Sequence, residues 1–403
     1  MMTLERSERA IGGAGAPTRP ASDPPEKNTG VEMAPATGSM RGGNTPTEHL
    51  DVLVVGAGQA GLALGRHLRS SGASFALVDR HLRVGDSWRK RYDSLTLFTP
   101  RAYSALPGLP LDGDPAGYPG KDEVAHHLEA FATRYELPVR SGVEVRRLEQ
   151  AGARFVATLR DGSIVEARFV VVATGAYQAP RIPALAASFS ADVQQLSAST
   201  YRNPGGVAAG TVLVVGDGAT GRQIAHELSG SHSVVLSHGR DRRATRDRIL
   251  GRSIFWWLDR LGLVRASRDS IVGRRLRRAD PFPGRGHDLA TLERAGVRMV
   301  PRLIEADRRT ARFDGGAEAD ISAVVWATGY RDDAGWVHIP CAVDAAGSFI
   351  EVDGVSPVPG LFFVGRSWQS SRGSALLLGV DRDARSIADS VLRWIASPVS
   401  QPA

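Results

Sequence analysis

Two apolar runs, each followed by spaced glycines, dominate the pattern of this chain. The runs cover residues 51–55 (DVLVV) and 211–215 (TVLVV), and a helical pattern of apolar residues follows at 62–68 and 222–228. The glycines between them are Gly56, Gly58, Gly61, Gly216, Gly218 and Gly221. A strand, a G-x-G-x-x-G turn and a helix place backbone N–H groups and the positive helix end against a pyrophosphate. Two copies predict an α/β protein with two Rossmann-like dinucleotide-binding domains.

The second strand of each unit ends in a different type of residue. Residues 75–79 end in Asp79, an acid that can accept hydrogen bonds from ribose hydroxyls and that repels a 2′-phosphate. Residues 233–237 end in Ser237, and arginines follow from Arg240 onward. Because guanidinium groups bind phosphate with charge-assisted hydrogen bonds, we predict FAD in the first unit and NADPH in the second.

A buried-strand pattern ending in Ala-Thr-Gly occurs twice, at residues 168–175 and 323–329. The two copies flank the second nucleotide unit, so we interpret both as linkers of a first domain that an inserted domain interrupts. The predicted organisation is a disordered tail at 1–48, an FAD domain at 49–181 and 317–397, an NADPH domain at 182–316 with a helical insert at 244–300, and a tail at 398–403.

Composition excludes several classes of function. The single cysteine, Cys341, permits no internal disulfide, redox pair or cysteine metal cluster, and it fits a reducing cytoplasm. The ten histidines show no ligand spacing, so we predict no metal. The net charge of +7 comes almost entirely from arginines spread along the chain, which argues against nucleic-acid binding. Residues 254–258 (IFWWL) are too short to span a membrane and predict a buried or lid helix.

Several further motifs resemble those of the flavin-containing monooxygenases, and especially the bacterial CzcO-like flavoproteins and the plant YUCCA enzymes. The resemblance covers about residues 49–395. Besides the glycine and Ala-Thr-Gly motifs, it rests on residues 85–100 (GDSWRKRYDSLTLFTP), 118–121 (YPGK), 201–204 (YRNP), 363–368 (FVGRSW) and 372–375 (RGSA).

The resemblance implies that NADPH reduces FAD and that the reduced flavin reacts with O2 to give a C4a-(hydro)peroxyflavin, which oxygenates a small molecule at a nitrogen, sulfur or carbonyl centre. The implied cofactor-binding residues are Gly56, Gly58, Gly61, Asp79, Trp88, Arg89, Thr174, Gly175, Tyr201, Arg202, Gly216, Gly218, Gly221, Ser237, Arg240, Thr328 and Gly365. The implied catalytic residues near the flavin are Phe98, Thr99, Ser197, Trp368 and Arg372.

Some positions depart from the family pattern. Ser197 stands where a histidine is common, Phe98 where many members have Asn or His, and Ala219 where the second glycine loop commonly has Asn. The Baeyer-Villiger fingerprint is absent, since Ala191 and Val193 replace its Phe and Gly. These differences leave cofactor binding in place but put the stabilisation of the peroxide in question.

Two alternatives therefore stay open. One is an NADPH:acceptor oxidoreductase or oxidase that passes electrons from FAD to O2, a quinone or a metal; the disulfide-reductase version is excluded because Cys341 is alone. The other is a flavin-binding sensor or transport accessory protein. The expected partners are a small-molecule substrate and O2, without nucleic acid or membrane, and family habit suggests a homodimer.

Overall fold

The computed structural model describes residues 47–239, 244–279, 282–284 and 286–396. The predicted tails lie outside these residues, except that Thr47 and Glu48 already belong to the first strand. The helices are α1 Gln59–Leu68, α2 Asp86–Arg89, α3 Lys121–Arg134, α4 Ala219–Leu228, α5 Ile254–Arg260, α6 Ile271–Ala279, α7 Leu289–Arg294 and α8 Val380–Ala396.

The strands alternate with these helices through both halves of the chain. They are β1 Thr47–Val55, β2 Phe75–Asp79, β3 Val139–Ser141, β4 Val145–Ala151, β5 Arg154–Leu159, β6 Ile164–Val172, β7 Ala179–Pro180, β8 Gln194–Ser197, β9 Thr211–Val215, β10 Ser233–Ser237, β11 Ala244–Thr245, β12 Arg248–Ile249, β13 Arg252–Ser253, β14 Phe282–Pro283, β15 Arg298–Val300, β16 Leu303–Asp307, β17 Thr310–Phe313, β18 Glu318–Asp320, β19 Ala323–Trp326, β20 Tyr330–Arg331 and β21 Leu361–Phe363.

The first sheet takes strands from both ends of the described chain. Its order is β3-β2-β1-β6-β5-β4, and β21 pairs with β6 in parallel, with Leu361 opposite Val170. β1, β2 and β6 are parallel, and residues 52–55, 76–78 and 169–172 within them are apolar and buried, as expected for strand segments covered on both faces. Because β21 returns to this sheet after the second sheet has been completed, the first domain is interrupted by the second.

The second sheet is parallel throughout, in the order β15-β10-β9-β19-β8. Its inclusion of β19 corrects two predictions. The predicted domain boundary at 316/317 falls between β17 and β18, whereas the second domain continues through β19. The second Ala-Thr-Gly turn is therefore no linker of the first domain: each turn ends the strand beside the glycine-bearing strand of its own fold.

Residues 244–300 are less uniformly helical than predicted. α5, α6 and short two-stranded pairs fill the first part, but α7 and β15 complete the second nucleotide fold, since Leu292 is fully buried and β15 pairs with β10. The helix predicted at residues 254–258, as a buried or a lid helix, is α5, and it buries Phe255. Among the described helices, none has the length and apolar character to cross a bilayer.

Candidate functional site

The first glycines of the two loops have nearly the same local geometry. Gly56 has a φ of 109° and Gly216 a φ of 107°. A Cβ on Gly56 would lie 2.6 Å from the carbonyl oxygen of Ala173, and one on Gly216 would lie 2.5 Å from that of Ala327. Only glycine fits at either position, because both the backbone angle and the space exclude a side chain. Each Ala-Thr-Gly turn is thus the wall against which a glycine loop packs.

The third glycine of each loop allows the helix to pack closely on the strand. A Cβ on Gly61 would lie 2.0 Å from the carbonyl oxygen of Gly56, and a Cβ on Gly221 would lie 1.8 Å from that of Gly216. Both distances are far inside van der Waals contact. In both domains, therefore, the third glycine of the fingerprint is required by the same close packing of the helix against the loop.

The second glycine of the first loop faces open space. Gly58 is the N-cap of α1, and a Cβ there would meet no described protein atom within 4 Å. Gly218 is the N-cap of α4 in the same way, with extended backbone angles. Protein packing does not require a glycine at position 58, but close approach of a pyrophosphate to the backbone does. This cradle fits the diphosphate of a dinucleotide.

Asp79 stands at the end of β2 beside the first loop. Its Oδ2 accepts a hydrogen bond from the N–H of Ala57 at 2.8 Å, and its Oδ1 accepts one from the N–H of His81 at 2.8 Å. These bonds fix the carboxylate and leave acceptor capacity on both oxygens. The arrangement suits the ribose hydroxyls of an adenosine, which would be the FAD adenosine in this domain.

The turn residues link the loops to the interdomain connections. Thr174 and Gly175 are half-buried, and the amide of Gln178 donates to the carbonyl oxygen of Gly175 at 2.7 Å. The hydroxyl of Thr328 donates to the carbonyl oxygen of Arg181. Both turns thus end at the two-stranded connection of β7 and β20.

Ser237 ends β10, where the sequence places it, but its hydroxyl is bonded within the protein. The side chain is 2% exposed; its hydroxyl donates to the carbonyl oxygen of Pro301 at 2.9 Å and accepts from the N–H of Leu303 at 3.0 Å. The hydroxyl therefore ties β10 to the chain after β15 and presents nothing to a 2′-phosphate. Arg240, the other residue assigned to that phosphate, lies outside the described residues.

Trp88 and Arg89 lie on the short helix α2. Trp88 is half-buried against the first core. Arg89 donates to the carbonyl oxygen of Val84 at 2.7 Å and pairs with Asp86 at 3.2 Å and Glu129 at 2.5 Å. Its guanidinium thus joins α2 to α3, and a role toward FAD would be exerted by positioning this segment.

Phe98 contacts the insert of the second domain, and the neighbouring Thr99 is bonded within the first domain. The rings of Phe98 and Phe255 stack with centroids 6.1 Å apart at 26°, and Tyr103 lies 6.3 Å from Phe255. Thr99 is buried, and its hydroxyl is 2.7 Å from the Ser104 hydroxyl. An apolar contact between the two domains therefore forms at the segment that the resemblance places near the flavin.

Ser197 and Tyr201 are structural in this conformation. The Ser197 hydroxyl is 2.7 Å from the Ser199 hydroxyl and 3.2 Å from the Thr200 hydroxyl. Tyr201 has no exposed surface and donates to Glu227 at 2.9 Å; burial and this carboxylate raise the pKa of its hydroxyl. In this conformation the Tyr201 ring has no exposed surface for a cofactor to contact, and its assignment to NADPH stays a prediction. Arg202 is exposed.

The C-terminal segment returns to the first loop. Gly365, with a φ of 81°, packs so closely on α1 that a Cβ would lie 2.5 Å from the Ala60 Cβ. Trp368 also has a positive φ, of 59°, which is strained for a residue with a side chain. The guanidinium of Arg372 lies over the Trp368 ring, 5.9 Å from its centroid. The structure thus brings Trp368 and Arg372 together beside α1.

The insert also forms hydrogen bonds with this C-terminal segment. Arg268 donates through its backbone N–H to the carbonyl oxygen of Ser370 at 2.9 Å and through its side chain to that of Gln369 at 2.8 Å. This role of Arg268 is not predictable from the sequence, because no local motif indicates a contact between residues about a hundred positions apart.

A buried ion pair in the second loop was missed as well. Asp217 lies between the first two glycines, and Arg222 on α4 donates to its carboxylate at 3.1 Å and to its carbonyl oxygen at 3.0 Å. Arg222 is 1% exposed. The pair neutralises a carboxylate that would otherwise repel a pyrophosphate at this loop. The signal was present as an acid inside the fingerprint followed by an arginine.

Other chemistry has little support in the chain. Cys341 is exposed, and as the single cysteine it has no partner for thiol exchange within the chain. The described residues contain no group of three or more His, Cys, Asp or Glu side chains placed to hold a metal ion.

Comparisons with known proteins agree with this geometry. A family model described as pyridine nucleotide-disulphide oxidoreductase matches residues 53–254. A protein of Geobacillus kaustophilus named as a CzcO-like oxidoreductase is 43% identical over 345 residues, covering 85% of this chain and 98% of that protein. Indole-3-pyruvate monooxygenase YUCCA1 of Oryza sativa is 29% identical over 381 residues, covering 84% and 90% of the two chains.

A solved structure is similar over the same extent. The flavin-containing monooxygenase from Stenotrophomonas maltophilia matches with a TM-score of 0.74 at 26% identity, covering 87% of this chain and all of that one (100%). The sequence and structural matches together establish that the chain belongs to the flavin-containing monooxygenase-like family, in its CzcO-like group, and that it is a flavin-dependent oxidoreductase with FAD and NADPH as cofactors.

Proposed function

We propose that this protein is an FAD-dependent, NADPH-using monooxygenase that forms a C4a-(hydro)peroxyflavin and oxygenates a small molecule at a nitrogen, sulfur or carbonyl centre. The observation that carries the proposal is the closure of the insert over the first domain, where Phe255 stacks on Phe98 and Arg268 holds the carbonyl groups of Gln369 and Ser370. Monooxygenation needs a site closed to water, because water promotes loss of peroxide from the flavin.

The proposed reaction consumes one O2 and one NADPH for each turnover. The substrate gains one oxygen atom, and the other oxygen leaves as water, which takes the two electrons and the proton of the nicotinamide hydride together with one solvent proton. When bound, FAD supplies the electron transfer and the activation of O2. The protein would hold FAD at the first glycine loop and Asp79, hold NADPH at the second loop, and exclude water with Phe98, Phe255 and Tyr103.

The name of the rice relative, a monooxygenase acting on indole-3-pyruvate, supports oxygenation rather than simple electron transfer. Phe98 and Ser197 depart from the family pattern, so the proposal does not extend to indole-3-pyruvate as the substrate of this chain. A homodimer and a cytoplasmic location stay predictions from the sequence.

Stopped-flow absorbance of the purified holoenzyme tests the proposal. The enzyme is reduced anaerobically with NADPH and mixed with oxygenated buffer; enzyme reduced with dithionite in the absence of NADP+ is the control. We expect a transient flavin adduct that outlasts the one in the control, and incorporation of one atom from ¹⁸O2 into the product of an active substrate. Immediate reoxidation with stoichiometric H2O2, unchanged by any candidate substrate, would contradict the proposal.

One observation favours the alternative of an NADPH:acceptor oxidoreductase or oxidase. The Ser197 hydroxyl, at the position where family members commonly carry a histidine, is bonded to Ser199 and Thr200. It therefore offers no free group that could stabilise a peroxide. Under this alternative, NADPH oxidation is matched by H2O2 or by reduced quinone at every substrate concentration, and no labelled oxygen enters any product.

A further inference from the structure

Arg91 lies between two tyrosines at the junction of the two domains. The carbon at the centre of its guanidinium is 5.2 Å from the centroid of Tyr177 and 5.6 Å from that of Tyr330. The two rings stand at 90° to each other with centroids 5.2 Å apart, and Arg91 donates to the Tyr330 hydroxyl at 3.4 Å. Cation–π contacts of this kind fix a guanidinium without cancelling its charge.

The neighbours of Arg91 place it beside the second glycine loop. The next residue, Tyr92, is buried in the core of the second domain, and its hydroxyl donates to Gln223 on α4, two residues after Gly221, at 2.5 Å. Tyr330 directly follows the Ala-Thr-Gly turn whose Ala327 forms the wall of that loop. Arg91 is thus held between the two elements that flank the loop.

The charge of Arg91 is not matched by the protein. No carboxylate oxygen within the described part of the chain lies within 4.0 Å of its guanidinium, whereas Arg89, two residues earlier, pairs with Asp86 and Glu129. The side chain is half-buried. A partly desolvated guanidinium that stays ionised favours an anionic ligand at this place.

The strand order indicates which end of a dinucleotide Arg91 would meet. β10 and β19 lie on opposite sides of β9, and in this fold the adenosine ribose binds at the end of the strand in the β10 position. Tyr330 follows β19, so Arg91 lies on the other side of the glycine loop, toward the first domain. The 2′-phosphate of NADPH is therefore remote from it.

We propose that Arg91 binds the pyrophosphate of NADPH, at the phosphate that carries the nicotinamide half. This inference rests on the proposed function only in that NADPH is the reductant. The tyrosine pair orients the guanidinium, and the N-terminus of α4 supplies the backbone donors on the opposite side of the phosphate. Arg91 is then a binding residue that sets the position of the nicotinamide relative to the flavin.

Equilibrium binding to the oxidised holoenzyme tests this inference. The dissociation constants of NADP+ and of adenosine 2′,5′-bisphosphate are measured for wild type, Arg91→Gln and Arg91→Lys, with Arg160→Gln, an exposed arginine on a turn of the first sheet, as the charge-matched control. We expect Arg91→Gln to weaken NADP+ binding roughly 10-fold or more, because a charge-assisted hydrogen bond to phosphate is lost. The difference from wild type should shrink at high salt.

The truncated ligand identifies the phosphate. Adenosine 2′,5′-bisphosphate lacks the nicotinamide-side phosphate, so its binding should change by less than about 3-fold in Arg91→Gln, while Arg91→Lys should recover part of the NADP+ affinity. Unchanged NADP+ affinity in Arg91→Gln, an equal loss for both ligands, or loss of FAD in place of NADP+ affinity would each overturn the inference.

The result is separable from the monooxygenase proposal. A wild type that binds NADP+ through Arg91 but never forms a flavin–oxygen adduct would refute the monooxygenase proposal and leave the inference standing. If the wild type forms the adduct but Arg91→Gln binds NADP+ as tightly as the wild type, the monooxygenase proposal stands and the inference about Arg91 is refuted. A wild type with no affinity for NADP+ would overturn both.

Discussion

Gly58 and Gly61 differ in the space that a side chain would meet at each position. At Gly61 a Cβ would collide with the Gly56 carbonyl oxygen at 2.0 Å, whereas at Gly58 it would enter open space. We expect Gly61→Ala to lower the free energy of unfolding of the apoprotein by about 1–3 kcal/mol, as overpacking does. Gly58→Ala should change it by less than about 0.5 kcal/mol but weaken FAD binding strongly.

Urea unfolding of the two apoproteins, together with FAD titration, separates the two effects. Gly58→Ala is the matched control for the chemistry of adding a methyl group to the same loop. Full FAD affinity in a stable Gly58→Ala variant would show that the flavin diphosphate does not approach this backbone.

The buried carboxyl of Asp383 makes the free energy of unfolding depend on pH. It lies in the first turn of α8, is 3% exposed, and accepts a hydrogen bond from the Ser370 hydroxyl. Burial raises the pKa of this carboxyl above its ordinary value. The folded state therefore holds the proton more tightly than the unfolded state, and the associated stabilisation is lost as the pH rises through the folded-state pKa.

We expect the free energy of unfolding of Asp383→Asn, relative to wild type, to increase between pH 4 and pH 8. Asparagine keeps an acceptor for Ser370 and carries no charge to bury. Chemical denaturation at several pH values measures the difference, with Asp389→Asn, an exposed acid on the same helix, as the control. A difference that is independent of pH would mean that Asp383 does not titrate in this range.

The sequence predicts individual residues well where the cause is local. The six loop glycines and Asp79 occupy the expected positions, because a G-x-G-x-x-G turn has few solutions between a strand and a helix. The hydrogen bonds of Ser237 and Tyr201, by contrast, were not predictable from the sequence. Their hydroxyl groups are used by Pro301 and Glu227, and partners so far away in the sequence leave no local signal.

At the scale of elements, Phe255 on α5 connects the insert with the first domain through two aromatic contacts. Phe255 is 5% exposed and touches both Phe98 and Tyr103. We expect Phe255→Ala to raise the fraction of NADPH electrons released as H2O2 severalfold, because the cleft then admits water. Leu261→Ala, which changes an exposed residue just after the same helix, should leave that fraction unchanged.

Peroxide and NADPH are measured in the same assay, and thermal unfolding checks that the insert remains folded. Equal peroxide release from Phe255→Ala and wild type would mean that this contact does not protect the flavin. The helix at residues 254–258 was predictable from the sequence, but the contact of Phe255 with Phe98 was not, since the stacking depends on how the two domains meet.

For the repeated Ala-Thr-Gly turns, the sequence pattern predicts the elements but not the sheet to which each belongs. The sequence correctly indicated two equivalent strand-to-turn units, but assigned both to linkers. In the structure, Ala173 and Ala327 pack against the glycine loops of separate sheets. The repeat therefore reflects two copies of one nucleotide-binding fold, and the linkers are the short paired strands β7 and β20.

For the whole molecule, the predicted α/β fold with an interrupted first domain is confirmed, as are the flavin-dependent enzyme class and the two cofactors. These properties follow from motifs that each span fewer than twenty residues. The exact extent of the second domain did not follow, because the buried apolar pattern of β19 fits a central strand of either large sheet. Only strand pairing assigns β19 to the second sheet.

Tyr92 connects the two domains by packing into the core of the second. This residue belongs to the segment after α2 of the first domain, yet its ring is 2% exposed within the core of the second, packed 6.2 Å from Tyr201, and its hydroxyl donates to Gln223. Burial raises the pKa of that hydroxyl, so it remains protonated and a donor at any physiological pH. Removal of the ring should uncouple the unfolding of the two domains.

We expect Tyr92→Ala to lose about 3–5 kcal/mol and to unfold in two calorimetric transitions, the first of them shifted upward by NADP+ and the second by FAD. Tyr92→Phe keeps the ring and should lose only about 1 kcal/mol, with a single transition retained. If Tyr92→Ala still unfolds in one transition at the wild-type temperature, the ring does not couple the domains. Coupling would then rest on the contacts of the insert, and Phe255→Ala, which weakens those, should be the variant that splits the transition.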